Sequence, residues 1–479
     1  MLRNTEPVKI DVQNQEHSTN ETRTKNESKI EEVQVEEEEK DFLDWNGYDA
    51  FCLFVLVMAG IFSRFWIIQY PRHFTLNEER QVTYINSYLN GSFFMPSQPP
   101  MSEIMLAGIS SFSQYKQVYK PPYSEPNFTF PTMEYVALRS PSAFFSATVI
   151  PLSFFIVRLL GGSTISSFAA GLFTMFDFTL IGLARNISTD GFIQLFVALA
   201  IFATAFMRHF EYQSTSYQIC YIAQTVFVGL SLASDWNCIA ILIFVCFFNY
   251  FTFKKLSPIF TTTFFALIIL YLSFITHVIL LPRESSQSIG LSLKYQQSLS
   301  AHDAPLHINH LQVPLFALEI IHKSFRLHLR RSNFVNFLSW PIMACPWKVL
   351  WTQLGRTVAI FGNVPVWWSI SVLALIQVLN MLFAMRIRKQ SSLMYCGFFI
   401  SLCVFIFKTS ERGLPDFEVP LLFGICGLAL SLDSEFSEQV SGFLTAFLIA
   451  SSAFVFILWA PLVYGYENFN KRFTPYFAK

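Results

Sequence analysis

The chain has 479 residues and no net formal charge at pH 7; 53% of its residues are hydrophobic and only 14% are charged. Soluble domains carry about 25% charged residues, so this composition, with a mean hydropathy of +0.41, predicts a polytopic membrane protein and excludes an ordinary soluble enzyme. The acidic run at residues 31–44 is the opposite of what nucleic acid attracts, so no nucleic-acid partner is expected.

A polar tail precedes a series of apolar runs. Residues 1–45 are rich in Asn, Glu, Ser and Thr, which is typical of disorder, and we expect them to form an acidic cytosolic tail. Each later run is close to the roughly 20 residues with which a helix crosses a bilayer. The predicted fold is therefore all-α and polytopic, with about eleven transmembrane helices. The runs lie at 50–69, 142–160, 164–184, 189–207, 217–234, 237–253, 258–282, 364–385, 392–408, 417–432 and 440–463.

Basic residues in the short loops predict the orientation, because cytosolic loops are enriched in Lys and Arg. With a cytosolic N-terminus, such residues occupy four cytosolic loops, and the C-terminus is lumenal. Two large loops, 70–141 and 283–361, are then lumenal as well, and separate an N-terminal transmembrane module at 46–282 from a C-terminal one at 362–479. Sequons at Asn90 and Asn127 lie in the first of these loops, where glycosylation is possible.

The second lumenal loop gives no metal site. It contains His302, His307 and His310, but beyond Asp303 no carboxylate or Cys completes a ligand set. A solvated loop, with no metal and no cofactor, is the better interpretation. The basic stretch 323–331 that follows is interpreted as part of an amphipathic helix on lipid head groups.

Ionisable residues at the predicted lumenal helix ends are candidates for chemistry, because such residues are costly near a membrane. Arginine clamps phosphate through a planar fork, and a carboxylate can take a proton from an attacking hydroxyl. A sugar carried on a lipid phosphate would use both. Alternatively, the arginines only orient helix ends by pairing with Asp190 or Glu134. The candidates are Glu78, Glu79, Arg139 (placed before the second helix), Arg185 and Asp190.

Several motifs resemble, in collinear order, those of the protein O-mannosyltransferase family. NEERQVTYINSYLNGSFFMPSQPPM resembles the first-loop signature of that family, in which an Asp-Glu pair precedes a Tyr-rich segment and His-Pro-Pro. ALRSPSAFFSATVIPLSFFIVRLLGGST resembles its Arg-containing second helix, and FDFTLIGLARNISTDGFIQLF its lumenal turn with Arg and Asp. SLKYQQSL, FLSWP and FGNVPVWW extend the similarity to about residue 385.

This resemblance implies a GT-C glycosyltransferase of the endoplasmic reticulum membrane that moves mannose from dolichyl-phosphate mannose to Ser or Thr hydroxyls of proteins. Ser/Thr-rich acceptor proteins, the lipid-linked donor, membrane lipid and a homo- or heterodimeric partner are the implied partners. The family's catalytic Asp matches Asn77. Carried over, Glu78 lies on the acceptor side, Arg139 and Arg185 hold the lipid phosphate beside Asp190, and Gln98 with Pro99 and Pro100 matches His-Pro-Pro.

Departures from the family pattern leave the activity open. An amide at Asn77 cannot act as a general base, so Glu78 or Glu79 would have to replace it. Asp235 stands where the family has Lys, Ser102-Glu103 where it has Gly-Lys, and the 283–361 loop is too short for the family's MIR domain. The alternatives are an active divergent mannosyltransferase, a catalytically inactive paralogue that acts as partner subunit or lipid-linked-sugar binder, and, last, an unrelated transporter.

Overall fold

The computed structural model describes residues 45–75, 78–113, 115, 129–130, 132–300, 311–329, 339–344, 347–353, 356–382, 389–407 and 414–465. One compact unit begins at Tyr48, and the helices and strands lie in it apart from Gly47, the first residue of the first helix. The predicted tail at 1–45 lies outside the described residues apart from its last position, as do Asn77, Asn127, and the three histidines of the second loop.

Helices make up nearly all of the described structure. In chain order they are α1 (Gly47–Phe65), α2 (Glu78–Asn90), α3 (Met101–Phe112), α4 (Glu134–Leu159), α5 (Thr164–Phe176), α6 (Phe178–Ala184), α7 (Asp190–Met207), α8 (Thr215–Leu232), α9 (Ile239–Phe253), α10 (Ser257–Leu280), α11 (Leu293–Ser298), α12 (Val313–Leu329), α13 (Val364–Leu382), α14 (Lys389–Phe407), α15 (Glu418–Glu435) and α16 (Glu438–Tyr464). Short 3₁₀ turns occupy Trp236–Cys238, Ser286–Gly290 and Leu414–Phe417.

Each predicted apolar run falls on helix, but within the described residues fewer helices than the predicted eleven are long and apolar enough to count as candidate spans. In the part of the chain that the structure describes, six helices are long and apolar enough to cross a membrane, or seven if α5 and α6 form one span bent by 55°. The apolar stretches of α13 and α14 are shorter than the others, and α15 carries acidic residues at both ends. The protein is thus a polytopic helical membrane protein, and the described part of the chain holds six to seven candidate spans.

The bend between α5 and α6 has a local cause at Asp177. Its carboxylate accepts a hydrogen bond from the Leu180 amide at 3.0 Å, which caps the start of α6. The same carboxylate accepts one from the Trp367 indole at 2.6 Å. A buried acid held in this way ends α5 and fixes the direction of α6.

The second loop departs from the all-α prediction. Strands β1 (Lys348–Gln353) and β2 (Arg356–Ile360) pair in an antiparallel hairpin. Ala359 of β2 and the flanking residues Trp347 and Phe361 pack on Phe178 of α6 and Leu462 of α16. Alternating β-branched and aromatic residues favour such a strand pair, but six residues do not give a hydropathy signal.

The first loop is a folded layer over the ends of α4 and α7. Val82 and Ile85 of α2 and Leu106 of α3 share one buried cluster with Leu138 and Phe192. α4 begins at Glu134, eight residues before the predicted run, so Arg139 lies inside a helix and not ahead of it. The polar first turns of α4 hid this start from a hydropathy pattern. Because α2, α3, α4 and α7 share this buried cluster, the first loop and the starts of α4 and α7 pack as one unit.

Candidate functional site

Glu78 and Arg139 form a buried ion pair at the centre of the folded first loop. Glu78 is the first residue of α2, and neither side chain is exposed. Arg139 donates from Nε to Oε1 at 2.6 Å and from Nη2 to Oε2 at 2.8 Å. This two-bond arrangement is the strongest geometry that arginine and a carboxylate adopt.

The Glu78 carboxylate has two further partners, both backbone amides. Thr75 donates to Oε2 at 3.0 Å, and Ile187, in the turn between α6 and α7, donates to Oε1 at 2.8 Å. With the two bonds from Arg139, Glu78 accepts four hydrogen bonds, which is about the capacity of a carboxylate. It therefore ties α2, α4 and the α6–α7 turn together.

Arg139 is equally saturated. Its Nη1 donates to the carbonyls of Ile68 at 3.1 Å and Pro71 at 2.9 Å, and its Nη2 to that of His73 at 3.3 Å. Together with the two bonds to Glu78, all five N–H groups of the guanidinium are engaged. Its ion-pair partner is Glu78, and neither Asp190 nor Glu134 takes the role predicted as the alternative.

Arg185 holds the same stretch of backbone from the other side. It donates from Nη1 to the carbonyls of Arg64 at 3.1 Å and Trp66, and from Nη2 to that of Ile67 at 2.9 Å. Its guanidinium lies 4.5 Å from the ring centre of Tyr464, and the residue is 6% exposed. The two arginines predicted to bind phosphate thus both bind the chain that leaves α1.

Glu79 differs from Glu78 in its exposure and in the bonding of its carboxylate. It lies in the first turn of α2 and is exposed. Within the described residues its carboxylate has no hydrogen-bond or ion-pair partner. Only its backbone carbonyl is engaged, as the acceptor for the Thr83 hydroxyl. Glu79 is therefore the member of the Glu78-Glu79 pair with free lone pairs.

A second acidic group lies beside the α6–α7 turn. Asp190, at the start of α7, interacts electrostatically with Asp235, Asp416 and Lys348. Glu418, the first residue of α15, is buried, and its Oε2 accepts a hydrogen bond from the side-chain Nε2 of Gln194 at 3.1 Å. Of this group, only Asp190 is predicted from the sequence as a site residue. Asp235 stood out by its departure from the family pattern, but nothing in its spacing placed it near Asp190.

The Gln98-Pro99-Pro100 segment reaches this second group. The Gln98 side-chain carbonyl accepts from the Trp236 amide at 3.4 Å, next to Asp235. Pro99 and Pro100 are buried, and Pro100 precedes the start of α3. The Met101 amide donates to the Ala233 carbonyl at 2.9 Å. The structure therefore brings the predicted acceptor-side segment against the 233–236 turn.

Glu103 is a buried acid that the sequence marks only as a departure from the family pattern. It lies in α3, is 7% exposed, and its Oε2 has no hydrogen-bond partner. Burial raises its pKa to about 8, against a smaller opposing effect of Arg80. Burial, with a smaller contribution from Glu103, in turn raises the pKa of Tyr84 to about 12. The signal in the sequence was a single Glu within the apolar helix MSEIMLAGISSF.

An apolar groove of about 1790 Å³ runs beside the site along α9, α10 and α14. Trp236, Phe325 and His328 line one end, close to the Asp235 turn, and Arg208 and Lys254 line the other. Of the predicted glycosylation sites, Asn90 is exposed at the end of α2. Within the described residues, no group of three His, Cys, Asp or Glu side chains is arranged to hold a metal ion.

Comparison of sequences finds a family match and distant relatives. The model for "Dolichyl-phosphate-mannose-protein mannosyltransferase" matches residues 54–285. Dolichyl-phosphate-mannose–protein mannosyltransferase 4 of Candida albicans is 25% identical over 34% of this chain and 22% of its own length. Protein O-mannosyl-transferase 2 of Danio rerio is 22% identical over 31% of this chain and 19% of its own. The match thus spans about a fifth of these relatives.

Comparison of structures finds the same architecture. A chain of the S. cerevisiae protein O-mannosyltransferase Pmt1-Pmt2 complex bound to the sugar donor superposes with a TM-score of 0.77 and 13% identity, over 88% of this chain and 91% of that one. ArnT from Cupriavidus metallidurans bound to undecaprenyl phosphate gives a TM-score of 0.51 and 12% identity, over 88% and 66%. These likenesses show the fold, which this chain shares with both proteins.

Proposed function

Because the chain belongs, through residues 54–285, to the dolichyl-phosphate-mannose-protein mannosyltransferase family, we propose that it transfers mannose from dolichyl-phosphate mannose to Ser or Thr hydroxyls of proteins. The reaction takes place at the lumenal face of the endoplasmic reticulum membrane. The observation that carries the proposal is the difference between two neighbouring carboxylates. That of Glu78 accepts four hydrogen bonds, whereas that of Glu79 is exposed and accepts none within the described residues.

We assign the general base to Glu79. The acceptor hydroxyl oxygen bonds to the anomeric carbon of mannose, the bond from that carbon to the donor phosphate oxygen breaks, and dolichyl phosphate leaves. The hydroxyl proton passes to the Glu79 carboxylate, which is exposed and has no partner within the described residues. Asn77 cannot take that proton, and the four bonds to Glu78 leave that carboxylate without a free lone pair.

The donor phosphate requires a cation, but all five N–H groups of the Arg139 guanidinium are already hydrogen-bonded within the protein. Arg139 and Arg185 therefore act as positioning residues that hold the chain between α1 and α2. Lys348 of β1 is the better phosphate ligand, because it is half-buried, its ammonium group has no hydrogen-bond partner within the described residues, and it interacts electrostatically with Asp190. An ammonium group binds phosphate as a point charge.

The isoprenoid chain of the donor enters the apolar groove from the end at Trp236. That end lies next to Asp235 and Gln98, so a lipid in the groove would present its phosphate to the site. The lining is almost wholly hydrocarbon and aromatic, which is the surface that a polyprenyl chain prefers to water.

A second candidate function is that of an inactive paralogue, which pairs with an active partner or binds the lipid-linked sugar. It is favoured by Asn77, which stands where the family pattern has its catalytic Asp. Loss of a general base costs about 10²–10⁴-fold in rate, so the two candidates differ in turnover and not in donor binding.

The experiment is transfer of labelled mannose from dolichyl-phosphate mannose to a Ser/Thr-rich peptide by the purified full-length chain in liposomes. The control is the same peptide with Ala at each Ser and Thr. We expect labelled product with the first peptide only. Bound donor without product would support the inactive paralogue, and neither binding nor transfer would contradict both candidates.

A further inference from the structure

The apolar groove has a second polar end, on the face of the bundle opposite the candidate site. α7 runs from Asp190 in the site to Met207, and a helix of this length extends ~27 Å, close to the thickness of the hydrocarbon core. Arg208 follows at once and lines the groove together with Lys254, which ends α9. Two cations therefore lie at the membrane surface where the groove opens.

Among the described residues, Arg208 has no acidic partner. Within the part of the chain that the structure describes, its guanidinium makes no hydrogen bond or ion pair, although the residue is half-buried. Burial lowers its pKa, as expected for a cation that has lost water without gaining a partner. Lys254 is exposed, with its Nζ 4.8 Å from the ring centre of Phe251, a groove-lining residue.

The start of α14 adds a second attraction for an anion. Gln390 and Ser392, in its first turn, line the same end of the groove. The first four N–H groups of a helix have no partner within it, and the N-terminal end of the helix dipole favours negative charge. Two cations and a helix N-terminus thus line this end of the groove, which continues between mainly apolar walls.

We propose that this end of the groove binds one anionic phospholipid, with its phosphate between Arg208 and Lys254 and its acyl chains along the apolar walls. The ligand is a lipid because the walls that lead away from the two cations are mainly apolar: Phe247, Phe251, Leu267 and Leu270 follow on one side and Phe399 on the other. The proposal rests on the multi-pass fold and on these contacts, and holds whether or not the chain transfers sugar.

The test counts phosphatidylserine bound to the detergent-solubilised full-length chain by native mass spectrometry, and follows the thermal midpoint as the lipid is added. We expect one saturable phosphatidylserine that raises the midpoint, and weaker binding of phosphatidylcholine. Each basic residue near a surface strengthens attraction to anionic lipid about fivefold. Lys254→Gln should therefore weaken binding roughly fivefold and the double variant with Arg208→Gln about 25-fold.

The matched control is Lys255→Gln, because Lys255 is exposed beside Lys254 but does not line the groove. It should leave phosphatidylserine binding unchanged, and Arg208→Lys should retain most of it. Equal losses with Lys255→Gln would mean attraction to the surface charge alone and would overturn the site. So would variants that lower the midpoint equally with and without phosphatidylserine, since the two cations would then only cap helix ends.

Discussion

Glu78 and Arg139 are fully buried against each other, and each uses its whole hydrogen-bonding capacity within the protein. At a surface such a pair would contribute little, but removing one partner of a buried pair leaves an uncompensated charge. We therefore assign this ion pair a structural role, which is to hold the site in its folded form. The reaction needs a side chain whose polar atoms are not already hydrogen-bonded, and within the described residues Glu79 is the nearest such side chain along the chain.

Replacing either partner of this pair should unfold the loop. We expect Arg139→Ala and Glu78→Gln to destabilise the protein by about 3–5 kcal/mol, measured as a lower thermal midpoint in detergent. Glu79→Gln is the control, because its exposed carboxylate has no partner within the described residues, and it should keep the midpoint of the parent. An Arg139→Ala protein of normal stability with weakened dolichyl-phosphate binding would restore the phosphate-clamp role.

Glu103 should make stability depend on pH. Its pKa is about 8 in the folded protein and near 4.3 in an unfolded chain, so between these values the folded state holds one more proton. Stability therefore falls as pH rises from about 4.5 to about 8 and levels off above. Thermal midpoints across this range should show the slope, and Glu103→Gln should flatten it. A parent protein with no slope would mean that water reaches the carboxylate.

At the scale of elements, the contact of α4 with α7 fixes the distance between two walls of the site. Gly191, in the first turn of α7, donates its amide to the Ser142 hydroxyl at 3.1 Å. A Cβ at this position would overlap the backbone carbonyl of Ser142. Backbone cannot move aside as a flexible side chain can, so the close approach requires glycine.

Gly191→Ala should push the two helices apart and cost about 1–3 kcal/mol or more, with a matching loss of any transfer activity because Asp190 moves with α7. Gly442→Ala in α16 is the matched control: a Cβ there meets nothing within 4 Å, and alanine should stabilise that helix by about 0.5–1 kcal/mol. Thermal unfolding of the two variants compares them directly. Equal midpoints would show that α4 and α7 pack more loosely than described.

The sequence was informative about elements to differing degrees. Long apolar runs predict α7 and α10 well, because hydropathy is summed over many residues. The hairpin of β1 and β2 and the early start of α4 at Glu134 were missed, since both depend on tertiary packing. Within the site, residue types identified Glu78 and Arg139, but not that each would be the other's partner, because 60 residues of loop separate them.

At the scale of the whole molecule, both large loops pack together over one end of the bundle. The Arg283 amide donates to the Gly91 carbonyl at 2.9 Å, and the Met95 amide donates to the Gln287 side chain at 2.9 Å. His73 stacks on Trp351. The sequence predicted one side for the two loops from charge alone. It could not predict these contacts, which join segments about 190 residues or more apart.

The predicted lumenal side of this face can be tested at Asn90. Asn90 is exposed at the end of α2, so in eukaryotic cells its sequon should accept a glycan that an endoglycosidase removes. The test is made in an Asn127→Gln background, and Asn90→Gln should abolish the mobility shift on a gel. Glycans at Asn20 or Asn26 instead would place the N-terminus in the lumen and invert the orientation.

The most direct test of the account is the rate of mannose transfer by Glu79→Gln, compared with the parent chain, on protein whose thermal midpoint is unchanged. With Glu79 as the base, the parent transfers mannose and the variant is slower by about 10²–10⁴-fold while it still binds the donor. A folded Glu79→Gln protein that transfers mannose as fast as the parent would contradict the assignment of the base to this residue.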